Sequence, residues 1–105
     1  MEKDKLIEYL NFLNKIYDEY VDYYRDYNYG SNKKIRDRGL ANAQNKIRSF
    51  SYLVEQDFEL YKLLTSETAT DYHRSIIWDE FTSIQYFSRD LNDAILKINQ
   101  RIKSI

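Results

Sequence analysis

The chain contains no cysteine, no proline and only two glycines, Gly30 and Gly39, among 105 residues. Without cysteine there is no disulfide framework, no thiolate nucleophile and no thiolate metal ligand. Without proline, and with two glycines, turn punctuation is too sparse for an all-β or α/β domain of this length. Long apolar runs are also missing: none exceeds three residues, as at Ile76-Ile77-Trp78, whereas a spanning helix needs ~20. An amphipathic pattern follows Met1–Lys5 directly, and no apolar stretch resembles a signal peptide. A cytoplasmic location is expected, in the host cytoplasm if the gene is phage-borne. Histidine occurs once, at His73.

What remains is the balance of a folded domain. Hydrophobic residues make up 43% and charged residues 31%, which excludes a chain too polar to collapse. The length suits a single domain over residues 1–105. Helices are the one regular structure compatible with the missing breakers. The expected fold class is all-α, an antiparallel up-down-up three-helix bundle with long helices.

The first helix is expected from about Asp4 to Asn28. Leu6, Leu10, Leu13, Tyr17, Tyr20, Tyr24 and Tyr27 alternate at steps of 4 and 3, a heptad seam. Tyr9, Phe12, Ile16 and Tyr23 widen it, so the helix serves two partners. Gly30 stands where a helix end takes a left-handed residue, and Ser31 or Asn32 can cap the next helix. The second helix is expected over Lys33 to Leu64, with the stripe Leu40, Ala43, Ile47, Phe50, Val54, Phe58 and Tyr61. The step from Val54 to Phe58 departs from strict 3.5 periodicity, and Gly39, costing ~1 kcal/mol relative to Ala in a helix, is a candidate break. Residues 65–70 are polar and rich in capping residues, so they read as a loop. The third helix is expected from Asp71 to Lys103 on the seam Ile77, Phe81, Ile84, Ser88, Leu91, Ile95, Ile98, Ile102 and Ile105. In the up-down-up order its end lies beside the end of the first helix. The tyrosines there would face Gly39, Ala41, Ala43, Ile95, Ile98 and Ile102.

Motifs for catalysis are lacking. There is no glycine-rich phosphate loop, no HExxH and no nucleophile elbow. His73 with Asp71, Asp79 or Glu80 offers too few ligands for a metal, and its position near a helix start reads as a solvated cap residue. Adjacent acids such as Asp18/Glu19 point in different directions on a helix and form no acid/base dyad. The expectation is a protein that is not an enzyme and takes no cofactor and no metal.

Charge is arranged in blocks although the net value is −1. Residues 1–30 carry seven acids and four bases, 31–50 one acid and six bases, 51–96 nine acids and three bases, and 97–105 three bases. The acids Asp18, Glu19, Asp22 and Asp26 and the bases Lys33, Lys34, Arg36, Arg38, Lys46 and Arg48 can neutralise each other across the first hairpin. Alternatively Lys33, Lys34, Arg36 and Arg38, joined by Lys97 and Arg101, form an anion or nucleic-acid site at the basic end of the bundle.

Eleven tyrosines are the strongest compositional bias. Those on the seam read as core. Tyr23, on the flank, and Tyr29, in the turn, are contact candidates, because tyrosine brings large area at low entropic cost. A first partner surface is therefore expected at Tyr23, Asp26, Tyr29, Arg36 and Arg38. A second is Trp78, Glu80 and Tyr86, since residues 76–87 are apolar on more than one helix face and are either covered or exposed to a partner. The leading expectation is a small protein-binding protein that occludes a partner's functional surface. Nucleic acid or a nucleotide is the alternative ligand, and a homodimer or structural oligomer a third possibility. No membrane partner is expected. Size, missing chemistry and a bias toward residues with AT-rich codons are similar to those of small phage or mobile-element proteins that inhibit a host or defence enzyme, a CRISPR-type enzyme for example. Bacteriocin immunity proteins are another small helical class of this length.

Overall fold

The structure, a computed structural model, describes residues 2–65, 84 and 86–105. Four helices account for nearly all of these residues: α1 (Lys3–Tyr29), α2 (Lys33–Gln56), α3 (Phe58–Thr65) and α4 (Phe87–Ser104). No strand occurs among them. The all-helical reading therefore holds. Residues 66–83, most of the expected second loop and the first half of the expected third helix, lie outside the described residues, as does residue 85.

Helix α1 matches its expected span within one residue at each end. Its buried positions are Leu6, Tyr9, Leu13, Ile16 and Tyr20, at alternating steps of 3 and 4. The buried stripe is thus rotated from the expected seam. Tyr9 and Ile16 take the core, Leu10 and Tyr17 are half-buried, and Phe12 remains 40% exposed. The physical reason is that α1 packs against two helices, α2 and α4. The centre of its apolar face falls between them, and apolar residues on both flanks hide that centre in the sequence.

The turn into α2 uses Gly30 differently from expectation. Its φ of −56° and ψ of 142° are extended, not left-handed. Closeness is what requires glycine here: a Cβ would lie 2.5 Å from the Asp26 carbonyl oxygen and 2.9 Å from side-chain carbons of Ile35 and Arg36. Asn32 caps α2, its Oδ1 accepting from the Ile35 N–H at 2.9 Å. Helix α2 then runs unbroken through Gly39. A Cβ on Gly39 would sit 2.7 Å from both the Tyr23 carbonyl oxygen and the Tyr27 nitrogen. The backbones of α1 and α2 meet there, and the helix-propensity cost of glycine permits that approach.

The break in the expected second helix comes at Asp57. There the backbone turns extended, with φ −136° and ψ 103°. Asp57 Oδ1 accepts from the N–H groups of Glu59 at 3.0 Å and Leu60 at 3.3 Å, which caps the start of α3. Its Oδ2 accepts from the Tyr9 hydroxyl at 2.5 Å and lies 3.6 Å from Lys5 Nζ. Burial alone would raise the Asp57 carboxyl. The Tyr9 hydrogen bond, the Leu60 N–H, the Lys5 charge and the Glu59 N–H outweigh it, and the group stays below the usual aspartate range. Beyond the elbow, Leu60, Tyr61 and Leu64 of α3 join the core.

Helix α4 buries Phe87, Leu91, Ala94 and Ile98. Of the expected seam, Ile84, Ser88, Ile95 and Ile102 are half-buried and Ile105 is exposed. Phe87 anchors the start of α4. Its ring centroid is 4.7 Å from that of Tyr20 and 5.7 Å from that of Phe50, both edge-on. The buried Tyr20 hydroxyl donates to the Ile84 carbonyl oxygen. Ten residues later, Lys97 Nζ donates to the Leu64 carbonyl oxygen at 2.6 Å, and Arg101 borders a depression with Glu59 and Lys62. Helix α4 therefore runs from the middle of α1 toward α3, opposite in direction to α1. The up-down-up order expected its end at the Gly30 turn, beside the late tyrosines of α1. These contacts place it at the other end, and it is Phe87, not Ile95, Ile98 or Ile102, that meets Tyr20.

Two predictions follow from this packing. Gly39→Ala gains helix propensity but forces its Cβ into the α1 backbone, so urea unfolding should record a net loss of about 1–3 kcal/mol, the usual cost of overpacking. Asp57→Asn keeps a capping oxygen and removes the charge. Because the folded Asp57 value is lowered, its contribution is complete above the unfolded value near ~3.9 and is lost as pH falls through the folded value. The wild type should be the more stable protein at pH 7, and the gap should close as pH drops below the unfolded value, measured by denaturant midpoints across an acid series.

Candidate interaction surface

The last turns of α1 and the first two turns of α2 form the Gly30 end of the hairpin, and five of the expected contact residues meet there. Tyr23 and Asp26 are half-buried on the α1 face that meets α2, where Gly39 lies against them. Tyr29, Arg36 and Arg38 are exposed. Tyr29 closes α1 with 84% of its surface in solvent, the largest exposure of any bulky apolar or aromatic side chain among the described residues. The turn beneath it is held on two sides. Gly30 N–H donates to the Asp26 carbonyl oxygen at 2.8 Å, and Arg36 Nη1 donates to the Gly30 carbonyl oxygen at 3.1 Å.

Electrostatics at this end are mixed. One ion pair crosses the hairpin, from Lys46 to Glu19, and the Lys46 hydrogen bond holds the Glu19 carboxyl below its usual range. The other pairs are local: Arg25 with Asp22 at 3.0 Å inside α1 and Lys33 with Asp37 at 3.7 Å inside α2. Such exposed pairs contribute little to stability. Lys34 and Arg38 have no ion-pair partner among the described residues. Neutralisation across the hairpin is thus limited to one pair, and two cations remain available beside Tyr29.

The α1 tyrosines divide by their surroundings. Tyr20 stacks on Tyr24 at 5.7 Å, and Tyr24 lies 6.3 Å from Tyr27. Burial, then the neighbouring Tyr24, raises the Tyr20 hydroxyl above the ordinary tyrosine value. It is a structural donor and not an acid for chemistry near neutral pH. Tyr9 is raised likewise, by burial and then by its hydrogen bond to Asp57.

The remaining expected residues fall into two sets. Of the second contact set, Trp78 and Glu80 lie outside the described residues, as do His73, Asp71 and Asp79. Tyr86 is 46% exposed, with the Arg89 guanidinium 5.0 Å from its ring centroid. The anion set is split. Lys33, Lys34, Arg36 and Arg38 stay at the Gly30 end, whereas Lys97 and Arg101 stand against α3 at the opposite end. The reversed direction of α4 separates them. In exchange the structure brings Lys62 and Leu63 to Arg101. These two carried no signal in the sequence, because only the elbow at Asp57 and the direction of α4 make them neighbours of the C-terminal bases. No group of three or more metal-capable side chains occurs among the described residues, and none of their helices is long and apolar enough to cross a membrane. Compared with known proteins, the chain matches no family, no curated protein and no solved structure.

Proposed function

We propose that this is a non-catalytic binding protein that docks the Gly30 end of its α1–α2 hairpin onto an acidic surface of another protein and occludes it. The observation that carries this reading is Tyr29. A large aromatic side chain, 84% exposed beside a turn held by one backbone hydrogen bond and one from the Arg36 side chain, has its area available to a partner at small entropic cost. Lys34 and Arg38, both without an ion-pair partner among the described residues, and Arg36 are exposed on the first two turns of α2 at the same end, a charge suited to carboxylates. Tyrosine and arginine together are the residue types that concentrate binding energy. A functional surface of a host or defence enzyme is the class of target that fits occlusion by so small a protein.

Charge composition favours a protein over nucleic acid at this end. Lys33, Lys34, Arg36 and Arg38 are interspersed with Asp22, Asp26 and Asp37, and Lys97 and Arg101 are too far along the fold to join them. Phosphate-backbone binding depends on the number of phosphates neutralised, and acids among the bases reduce it. A mixed protein surface tolerates both signs.

Tagged protein used for capture from a low-GC bacterial lysate should retain a stoichiometric protein partner after nuclease treatment. Tyr29→Ala and Arg38→Glu should each weaken that capture by about 30-fold or more, the effect of losing an interface anchor worth ~2 kcal/mol, with helical circular dichroism unchanged. Capture lost on nuclease treatment, or indifferent to both substitutions, would overturn the assignment.

A further inference from the structure

A second feature lies at the other end of the fold, independent of the hairpin turn. Between α3 and α4 there is a depression of about 340 Å³ lined by Glu59, Lys62, Leu63 and Arg101. It adjoins a second of about 330 Å³ that shares Leu63 and Arg101 and adds Lys97, Gln100 and Ser104. Together they make a cleft with a half-buried leucine at its centre and cations on both walls. The volume is at the lower end of the range for small-molecule sites.

The walls are built by the chain itself. Lys97 donates to the Leu64 carbonyl oxygen at 2.6 Å, near the carbonyl-rich end of α3, where a cation is favoured. That bond ties α4 to α3 and commits the Lys97 ammonium. Arg101 follows one helical turn later on the same face, so it stands over the cleft. Its carbonyl oxygen accepts from the Ser104 hydroxyl at 2.9 Å, but its guanidinium has no ion-pair partner among the described residues. Lys62, on the α3 wall, lies 5.7 Å from the centroid of Phe58 and is likewise without an ion pair among these residues. Glu59 is the one acid in a lining that also holds Lys62, Lys97 and Arg101.

We propose that this cleft binds a small oxyanion, of the phosphate monoester class, between the Arg101 guanidinium and the Lys62 ammonium. Three cations against one carboxylate leave an excess of two positive charges, which a phosphate monoester at neutral pH balances. The planar fork of Arg101 suits two oxygens of one phosphate, Lys62 supplies a point charge from the facing wall, and Leu63 offers apolar surface to the ester group.

The test is a titration of the full-length, nitrogen-15-labelled protein at low ionic strength with inorganic phosphate and, separately, with adenosine monophosphate. Saturable shifts are expected at the Arg101 side-chain N–H and at the Leu63 and Leu64 amides. Arg101→Gln and Lys62→Gln should each weaken binding about tenfold, as expected for losing a charge-assisted hydrogen bond. Arg101→Lys should weaken it as well, since charge remains but the paired N–H geometry does not. Lys34→Gln, at the opposite end, should leave it unchanged. Tighter binding of the nucleotide than of phosphate identifies an ester-borne ligand, and equal binding identifies the free oxyanion; both support the site. No saturable shift with either probe would refute it, as would binding that survives Arg101→Gln and Lys62→Gln or is lost in Lys34→Gln.

Discussion

The Asp57 carboxylate is the constraint on which the arrangement of the helices depends. One oxygen ends the run of α2 by capping α3 through Glu59 and Leu60, and the other receives Tyr9 and faces Lys5 of α1. A single acidic side chain therefore sets where the second helix stops, where the short one starts and which level of α1 they meet. Because the elbow turns α3 into the core through Leu60, Tyr61 and Leu64, the Leu64 carbonyl becomes available to Lys97. The direction of α4 follows from two contacts: Phe87 packed between Tyr20 and Phe50, and Lys97 on the end of α3. A half-buried carboxylate with four favourable partners is compensated for the water it loses, and removing any one of them withdraws part of that compensation.

Much of this was legible before any coordinates, and the remainder has physical reasons for being hidden. Helix α1 and the start of α2 could be placed to within a residue, because a glycine and a capping asparagine mark the turn between them, although Gly30 serves by the closeness of its neighbours and not by the left-handed conformation expected of it. The rotation of the buried stripe to Tyr9 and Ile16 could not, since Phe12, Leu10 and Tyr17 make both flanks apolar and only the positions of two partner helices choose between them. The elbow left a trace in the irregular step from Val54 to Phe58, with an aspartate between them able to cap. That trace is ambiguous, since an aspartate within a surface stripe also reads as a solvated side chain. Gly39 drew notice as a possible break, whereas the need it serves is the approach of the α1 backbone, which no local pattern reveals. The direction of α4 is a matter of tertiary contact alone.

That direction also decides how the charge blocks act. Had α4 ended at the Gly30 turn, its bases would have joined those of α2 in one extended basic end suited to a polyanion. Reversed, the chain divides its cations between two sites of different character. At the Gly30 turn they share the end of the hairpin with acids and an exposed aromatic ring, the mixed character on which the proposed protein contact rests. Against α3 they line a cleft with one acid among them, the excess of positive charge on which the proposed oxyanion site rests. Neither site holds a long track of uniform sign, and so the weak net charge of the chain and its strong local segregation are compatible.

The tyrosines add a further step. Inside the fold, a tyrosine is admitted where its hydroxyl reaches an acceptor: Tyr9 reaches the Asp57 carboxylate and Tyr20 the Ile84 carbonyl. Each thereby combines the area of an aromatic ring with a directional bond that fixes its neighbours. Tyr17, Tyr23 and Tyr24 pack at the edge of the core, half-buried. Tyr29 belongs to neither group. No neighbouring ring lies against it among the described residues, and the turn that follows it is held by hydrogen bonds at the Gly30 N–H and the Gly30 carbonyl. In a chain that places Tyr9, Tyr17, Tyr20, Tyr23 and Tyr24 in or beside the core, Tyr29 alone carries most of its ring into solvent at the end of α1, and that contrast is the ground on which the partner surface is proposed.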